Sequence, residues 1–204
     1  MIDLKIILQG ESVVLMPERA MLIEGTRTLL VADVHLGKDT AIRIAGIPIP
    51  GDATADSLAR LSSALERSGA RRLIFLGDLV HAQTSLDAMT VSTIQAWREQ
   101  HQGIEMLLVP GNHDIRSGAL PEALGIDTTS AELIEPPFVF KHYPEASPQG
   151  YTLAGHIHPA IRLAGRGRQK ERVACFLFRS ECGLLPAFGT FTGGADSAVR
   201  RNDR

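Results

Sequence analysis

Disulfide chemistry, membrane insertion and a global charge of either sign are what this sequence lacks. Two cysteines, Cys175 and Cys182, cannot build a disulfide framework in a chain of 204 residues. Cys175 falls in the apolar run Val173–Phe178 and is expected to be buried, Cys182 falls near a turn, and both read as free thiols of a reducing cytoplasm. Lysine and arginine (21) nearly balance aspartate and glutamate (23), for a net charge of -2. That excludes a global basic field for nucleic acid, so any such contact must rest on a local patch. No run is long enough to cross a bilayer, and Ile6-Ile7-Leu8 is too short for the core of a signal peptide. Internal repeats, linkers and low-complexity blocks are missing as well. What remains is an ordinary globular composition, 44% apolar and 22% charged, with length for one well-packed domain rather than two large ones.

Short β-prone runs separated by turn signals fill Glu11 to Ala32 and read as an antiparallel meander ending in Leu29-Leu30-Val31-Ala32. From Arg43 to Asp52 glycine and proline are dense, and each proline biases its predecessor away from the α region, so this stretch reads as non-helical. A helix is expected over Ala53 to Ser68, where Leu58, Leu61 and Leu65 share a face. Another is expected near Ser85 to Gln100, with Met89, Ile94 and Trp97 inward. Apolar runs at Leu73–Leu76, Ile104–Val109, Phe138–Phe140, Tyr151–Ala154, Ala160–Leu163 and Val173–Phe178 read as strands, and Leu185–Gly189 as the last ordered piece. Strand and helix alternate in the first half and strands dominate the second, which makes a layered α/β fold. One domain is expected over residues 1–195, followed by a polar tail over residues 196–204.

Polar chemistry at strand ends is what the sequence has in quantity. Asp33, His35, Asp78, Asn112, His113, His142, His156 and His158 each stand just after an apolar run, and five of the seven histidines are among them. A buried strand fixes position and the loop at its end aims the polar groups. Residues two apart in an extended segment project to one side, so Asp33 and His35 are expected to point together, as are His156 and His158. Imidazole, carboxylate and one amide oxygen, without thiolate, suit divalent ions such as Mn, Fe or Zn. A set of seven candidate ligands exceeds one tetrahedral site and fits two ions sharing a bridging carboxylate. Each motif alone is more often a turn or a hydrogen-bonded residue; their succession, each after a buried strand, is what points to a site.

The series Asp33-x-His35, Gly77-Asp78, Gly111-Asn112-His113-Asp114, His142 and Gly155-His156-x-His158 resembles the five motif blocks of the calcineurin-like metallophosphoesterase superfamily, in order, from about Leu29 to Pro159. His35-Leu36-Gly37-Lys38, the loop Gly46–Pro50, Gly77-Asp78-Leu79-Val80-His81 and the terminal Leu185–Gly194 further resemble its bacterial ligase-associated DNA damage response endonuclease branch. The resemblance implies a β-sandwich of mixed sheets flanked by helices in αββα layers. It also implies two divalent metal ions, manganese first, with iron or zinc as alternatives. By position, Asp33, His35 and His158 would hold the first ion and Asn112, His142 and His156 the second, with Asp78 bridging them. His113 would be the acid facing the leaving oxygen, and Asp114 would orient its ring. Many members carry a carboxylate shortly after the Gly-Asp pair; Leu79-Val80-His81 stands here instead, which leaves His81 without an assigned role.

Lys38 and Arg116 flank the first and third motifs and could pair with phosphate oxygens or stay solvated. A basic stretch, Arg162, Arg166, Arg168, Lys170 and Arg172, begins four residues after His158 and could follow a nucleic-acid backbone or form a solvated hairpin tip. No insertion large enough to cap the site is visible, which favours an open cleft and an extended substrate. The branch implies a DNA endonuclease acting in repair beside a DNA ligase and a helicase. A small-nucleotide phosphatase or phosphodiesterase could use the same site. A non-catalytic scaffold is disfavoured, because no metal position is missing.

Overall fold

The computed structural model describes residues 2–49, 52–165, 169–193 and 195–196. Four antiparallel strands open the chain: β1 (Leu4–Leu8), β2 (Glu11–Met16), β3 (Ala20–Ile23) and β4 (Thr28–Val31). The chain then passes through α1 (Lys38–Ile44), α2 (Ala53–Ser68), β5 (Arg72–Leu76), α3 (Ala88–Gln100), β6 (Glu105–Val109), α4 (Asn112–Ser117) and β7 (Asp127–Thr128). Strands β4 to β7 pair in parallel, and α2 and α3 supply crossovers that parallel pairing demands. The result is a seven-stranded sheet in the order β1 to β7.

The remaining strands are β8 (Glu132–Glu135), β9 (Phe138–Lys141), β10 (Tyr151–Ala154), β11 (Pro159–Ala164), β12 (Lys170–Ala174), β13 (Leu177–Phe178), β14 (Cys182–Leu184) and β15 (Ala195–Asp196). They form a five-stranded sheet, β13-β14-β10-β9-β8, and a three-stranded one, β12-β11-β15. Strand alternation sorts the core into two layers. Leu29, Val31, Leu73, Phe75, Met106 and Leu108 face Leu58, Leu61, Leu65, Ile94 and Trp97 of α2 and α3. Their neighbours Leu30, Ala32, Ile74, Leu76 and Val109 face Phe138, Phe140, Tyr151 and Leu153 of the second sheet. The fold is therefore a mixed α/β sandwich of sheets flanked by helices. No α-helix follows Ser117 among the described residues, so the helical layer that the structure shows is built on the seven-stranded sheet.

The helix expected over Ala53–Ser68 forms with those ends. Asp52 accepts the Ala55 N–H at 3.0 Å, and Gly69, at φ 59, closes the helix on the Leu65 carbonyl. Several expectations are corrected. Arg43 and Ile44 belong to α1, which ends only where Gly46 reaches φ 79. The second helix starts at Ala88, capped by Asp87, with a short 3-10 turn over Gln83–Ser85 before it. Met89, in its first turn, is 78% exposed rather than inward, while Ile94 and Trp97 are buried. The Val173–Phe178 run breaks after Ala174 because the chain there leaves one sheet, where Cys175 N–H bonds to the Pro159 carbonyl, and joins another. Cys175 is half-buried and Cys182 is the buried thiol, the reverse of expectation. Asp196 ends β15, and residues 197–204 lie outside the described residues.

Candidate metal centre

The motif loops are zipped to one another by their backbones before any side chain is considered. Past the end of β4, the N–H groups of Asp33, His35 and Leu36 donate to the carbonyls of Gly77, Asp78 and Leu79 beyond β5, at 3.1, 2.9 and 2.8 Å. On the other side Phe188 and Gly189 donate to the carbonyls of Ala32 and Asp33, at 2.8 and 3.0 Å. The loop after β10 is tied in through Asp33, whose carboxylate accepts the His156 N–H at 2.9 Å. Asp78 does the same for the third motif, accepting the His113 N–H at 2.9 Å.

Asp33 and His35 do converge, but by a different backbone from the one expected, while His156 and His158 part to two neighbouring donor groups. All four residues, and Asp78, have φ between 50 and 67, the left-handed region, rather than an extended chain. Asp and His tolerate that region better than most residues, and such strain, on the order of 1–3 kcal/mol each, persists only where the surroundings over-determine it. The motif glycines provide the room. A Cβ on Gly77, itself at φ 77, would lie 2.1 Å from the His142 ring, and one on Gly111 would lie 2.3 Å from Asp78 Oδ1. One on Gly155 would lie 2.5 Å from Asp33 Oδ2.

Two groups of donors result, each with its ligand atoms mutually within 4.8 Å: Asp33, His35 and His158, and Asp78, His142 and His156. Asp78 Oδ2 lies between them, 3.9 Å from His35 Nε2 and 3.6 Å from His142 Nε2. Asn112 joins the second group, its Oδ1 3.2 Å from His142 Nε2 and accepting the Tyr143 hydroxyl at 3.4 Å. Seven side chains named from sequence are thus gathered in one place.

The donor chemistry fits divalent ions. His142 Nδ1 faces the Leu76 carbonyl at 3.1 Å and His158 Nδ1 the Gly193 carbonyl at 2.9 Å. A carbonyl only accepts, so each Nδ1 carries the proton and each Nε2 offers a lone pair, the usual arrangement of a metal-binding histidine. His142 Nε2 meets the Asn112 amide oxygen and, at 3.0 Å, His156 Nδ1, a gathering of acceptors that a cation would satisfy. Burial first, then the Lys38 charge, pushes the pKa of His35 down to about 2 and keeps its ring neutral. Burial also lowers that of His156. At His158 burial opposes the charge, but the Asp33 carboxylate, 3.3 Å from Nε2, outweighs it and raises the pKa. The pull of that carboxylate marks a place for positive charge.

His113 stands apart from both groups, and the expected role of Asp114 is not what the structure places there. Both Asp114 oxygens are taken by backbone, Oδ1 by the Val80 N–H at 3.0 Å and Oδ2 by the Gly111 N–H at 2.8 Å. Asp114 fastens the third motif to the second; it does not orient the ring. The His113 ring is held by the His81 carbonyl, 2.6 Å from Nδ1, and stacks on the His81 ring with centroids 5.0 Å apart. His81, the residue without a role in the sequence, is thus the one that holds His113. Among the described residues its own Nδ1 is buried without a hydrogen-bond partner, as is His35 Nδ1. The third group of possible donors is His35, His81 and His113.

Lys38 starts α1 half-buried; its charge adds to burial in lowering the pKa of His35 and His81, and it opposes the rise at His158. Arg116 is exposed in the last turn of α4. Arg166 and Arg168 lie outside the described residues.

Comparison with known proteins agrees with this geometry. The family model described as calcineurin-like phosphoesterase matches residues 26–181. The crystal structure of Pseudomonas putida nuclease MPE is similar with a TM-score of 0.88 and 34% identity, covering 100% of this chain and 95% of that one. The structure of Yfce, a phosphoesterase from E. coli, aligns with a TM-score of 0.45 and 16% identity over 82% of this chain and 83% of that one. No curated protein matches the sequence. The whole-chain likeness to MPE is consistent with the branch that the softer motifs resemble. The chain belongs to the calcineurin-like phosphoesterase family and is a metal-dependent phosphoesterase, a hydrolase of ester bonds.

Proposed function

We propose that this chain is a dinuclear nuclease that hydrolyses phosphodiester bonds of DNA. Asp33, His35 and His158 would hold one divalent ion, Asn112, His142 and His156 the other, and Asp78 both. Manganese is the proposed metal, since nitrogen and oxygen donors without thiolate suit it. Ions bound there would supply an activated water and neutralise charge on the phosphoryl group. The observation that carries the reading is the meeting of His142 Nε2, His156 Nδ1, Asn112 Oδ1 and Asp78 Oδ2 around one point, with the His142 ring proton committed elsewhere. The similarity to a protein that is a nuclease supports nucleic acid as the substrate.

His113 acts on the leaving group. Its Nδ1 proton is committed to the His81 carbonyl, so Nε2 is the atom that handles a second proton. With that proton in place, Nε2 protonates the departing alkoxide as the P–O bond breaks. Asp78 fixes the backbone of His113 through its N–H, so the bridging carboxylate and the acid are set by one hydrogen bond. A place in DNA repair, beside a DNA ligase and a helicase in the cytoplasm, is the biological setting proposed from the branch resemblance.

The test is a manganese-supplemented assay that sets single- and double-stranded DNA against nucleotides and a simple diester. Cleavage of DNA is expected. Hydrolysis of nucleotides with DNA left intact would replace this reading with that of a small-nucleotide phosphodiesterase.

A further inference from the structure

A cavity of about 110 Å³ opens beside His158, and it is lined by Arg19, Arg172, Thr190 and Thr192 among others. Arg19 belongs to the turn between β2 and β3, at φ 67, and no motif singles it out. One of its terminal nitrogens, Nη1, donates to the carbonyls of Ala187 at 3.2 Å and Gly189 at 3.4 Å. Among the described residues its Nη2 and Nε make no hydrogen bond. The segment it grips is the one that frames Asp33, and Arg60 holds the carbonyl between, that of Phe188. A cation is thus braced against the metal loop with most of its donors unspent.

Arg172 reaches the same cavity from β12. The β11–β12 register sets Ala160 against Ala174 and Arg162 against Arg172, and alternation puts all four on one face. Ala160 and Ala174 line the cavity with Arg172, so Arg162 continues the same face one pair further from His158. Guanidinium groups suit phosphate, because their planar fork matches its oxygens.

The geometry points to a subsite for a second phosphate of a polynucleotide backbone, the one flanking the phosphate that is cut. Arg19 and Arg172 are its cations, and the Thr190 and Thr192 hydroxyls are further donors. The inference rests on the nuclease reading and deepens it, since a simple diester or a mononucleotide has no flanking phosphodiester to place there.

The experiment measures, in manganese and across a salt series, cleavage of a single-stranded oligonucleotide and hydrolysis of bis(4-nitrophenyl) phosphate by wild type, Arg19→Gln and Arg19→Gln/Arg172→Gln. Glutamine removes the charge and, being two bonds shorter, also gives up the grip on the Ala187 and Gly189 carbonyls, so the diester serves as the control for that structural loss. Arg19→Gln is expected to raise KM for the oligonucleotide about tenfold, the scale of one charge-assisted hydrogen bond, with kcat changed by less than about twofold. The preference for oligonucleotide over diester in kcat/KM falls by the same factor. The log–log salt slope for the oligonucleotide shrinks by about 0.7 for each cation removed. Equal losses on both substrates assign Arg19 a structural role and overturn the subsite, as does an unchanged KM with an unchanged salt slope. A wild type that hydrolyses the diester and leaves DNA intact refutes the nuclease reading and the subsite together; one that cuts DNA regardless of Arg19 refutes the subsite alone. Should Arg19→Gln fail to fold, Arg172→Gln, on the exposed strand β12, carries the same test.

Discussion

Two loops bring a carboxylate and an imidazole to the same point by opposite means. After β4, Asp33 and His35 sit in left-handed conformations, with backbones zipped to the neighbouring loop and side chains in one donor group, the Asp33 carboxylate also accepting the His156 N–H. After β6, Asn112, His113 and Asp114 start a short right-handed helix, and there the carboxylate is spent on backbone. The difference teaches how to tell a working carboxylate from a structural one at the same depth. Asp33 and Asp114 are both buried, yet Asp33, besides accepting the His156 N–H, lies within 3.9 Å of two imidazoles, whereas both Asp114 oxygens are held by main-chain N–H groups, those of Val80 and Gly111. Burial alone does not assign a role; the partners do.

Substitutions can break that contrast, and the largest effect belongs to Asp78, the proposed bridge. Asp78→Asn removes a charge from between the two donor groups and is expected to weaken manganese binding by more than about 100-fold, since even partners one step removed from a metal cost 10–100-fold. Direct titration of the metal checks it, and a full complement of tightly bound metal in this variant would remove Asp78 from the centre. Next comes His113→Ala, which should lower turnover by about 10²–10⁴ with little change in metal affinity, if His113 is the proposed acid and no ligand. Parallel loss of both in the same preparation would return His113 to the ligand set.

Asp114→Ala comes third and acts on stability. It leaves the Val80 and Gly111 N–H groups buried without acceptors, and should lower unfolding free energy by about 1–3 kcal/mol, read from denaturant melts of the metal-free protein. A variant as stable as wild type but impaired in turnover would mean that the carboxylate acts on chemistry after all. Tyr143→Phe is the smallest. Loss of a long hydrogen bond to Asn112, made by a residue 41% exposed, should cost less than about tenfold in metal affinity. A larger loss would show that Tyr143 fixes the amide orientation.

Much of this architecture was legible in the residues. Leu29–Ala32, Leu73–Leu76 and Leu107–Val109 alternate between two buried faces and therefore read as continuous apolar runs, as strands covered on both sides do. The seven proposed donors were named because each follows such a run. Conformation was not legible in the same way. Period-two reasoning predicted the convergence of Asp33 with His35 correctly but through an extended chain, because nothing in a sequence marks aspartate or histidine as left-handed. Helix α1 escaped because it is capped by Gly37, a residue that reads as a breaker; there its φ of 74 and the Ser85 carbonyl, 2.4 Å from where a Cβ would stand, require glycine. Strand β1 was visible only as three apolar residues, since its half-exposed edge carries too weak an alternation. Arg19 lies in a hairpin turn whose local sequence says nothing of a site 139 positions later at His158, and only tertiary structure joins them.

In the proposed centre two ions share Asp78 while His113 stands outside the metal set. That arrangement is tested most directly by the stoichiometry of manganese bound to His113→Ala, measured by calorimetric titration beside elemental analysis. Two ions per chain, with affinities within a few-fold of wild type, is the result this account predicts. One ion per chain, or none, would place His113 among the ligands and contradict it.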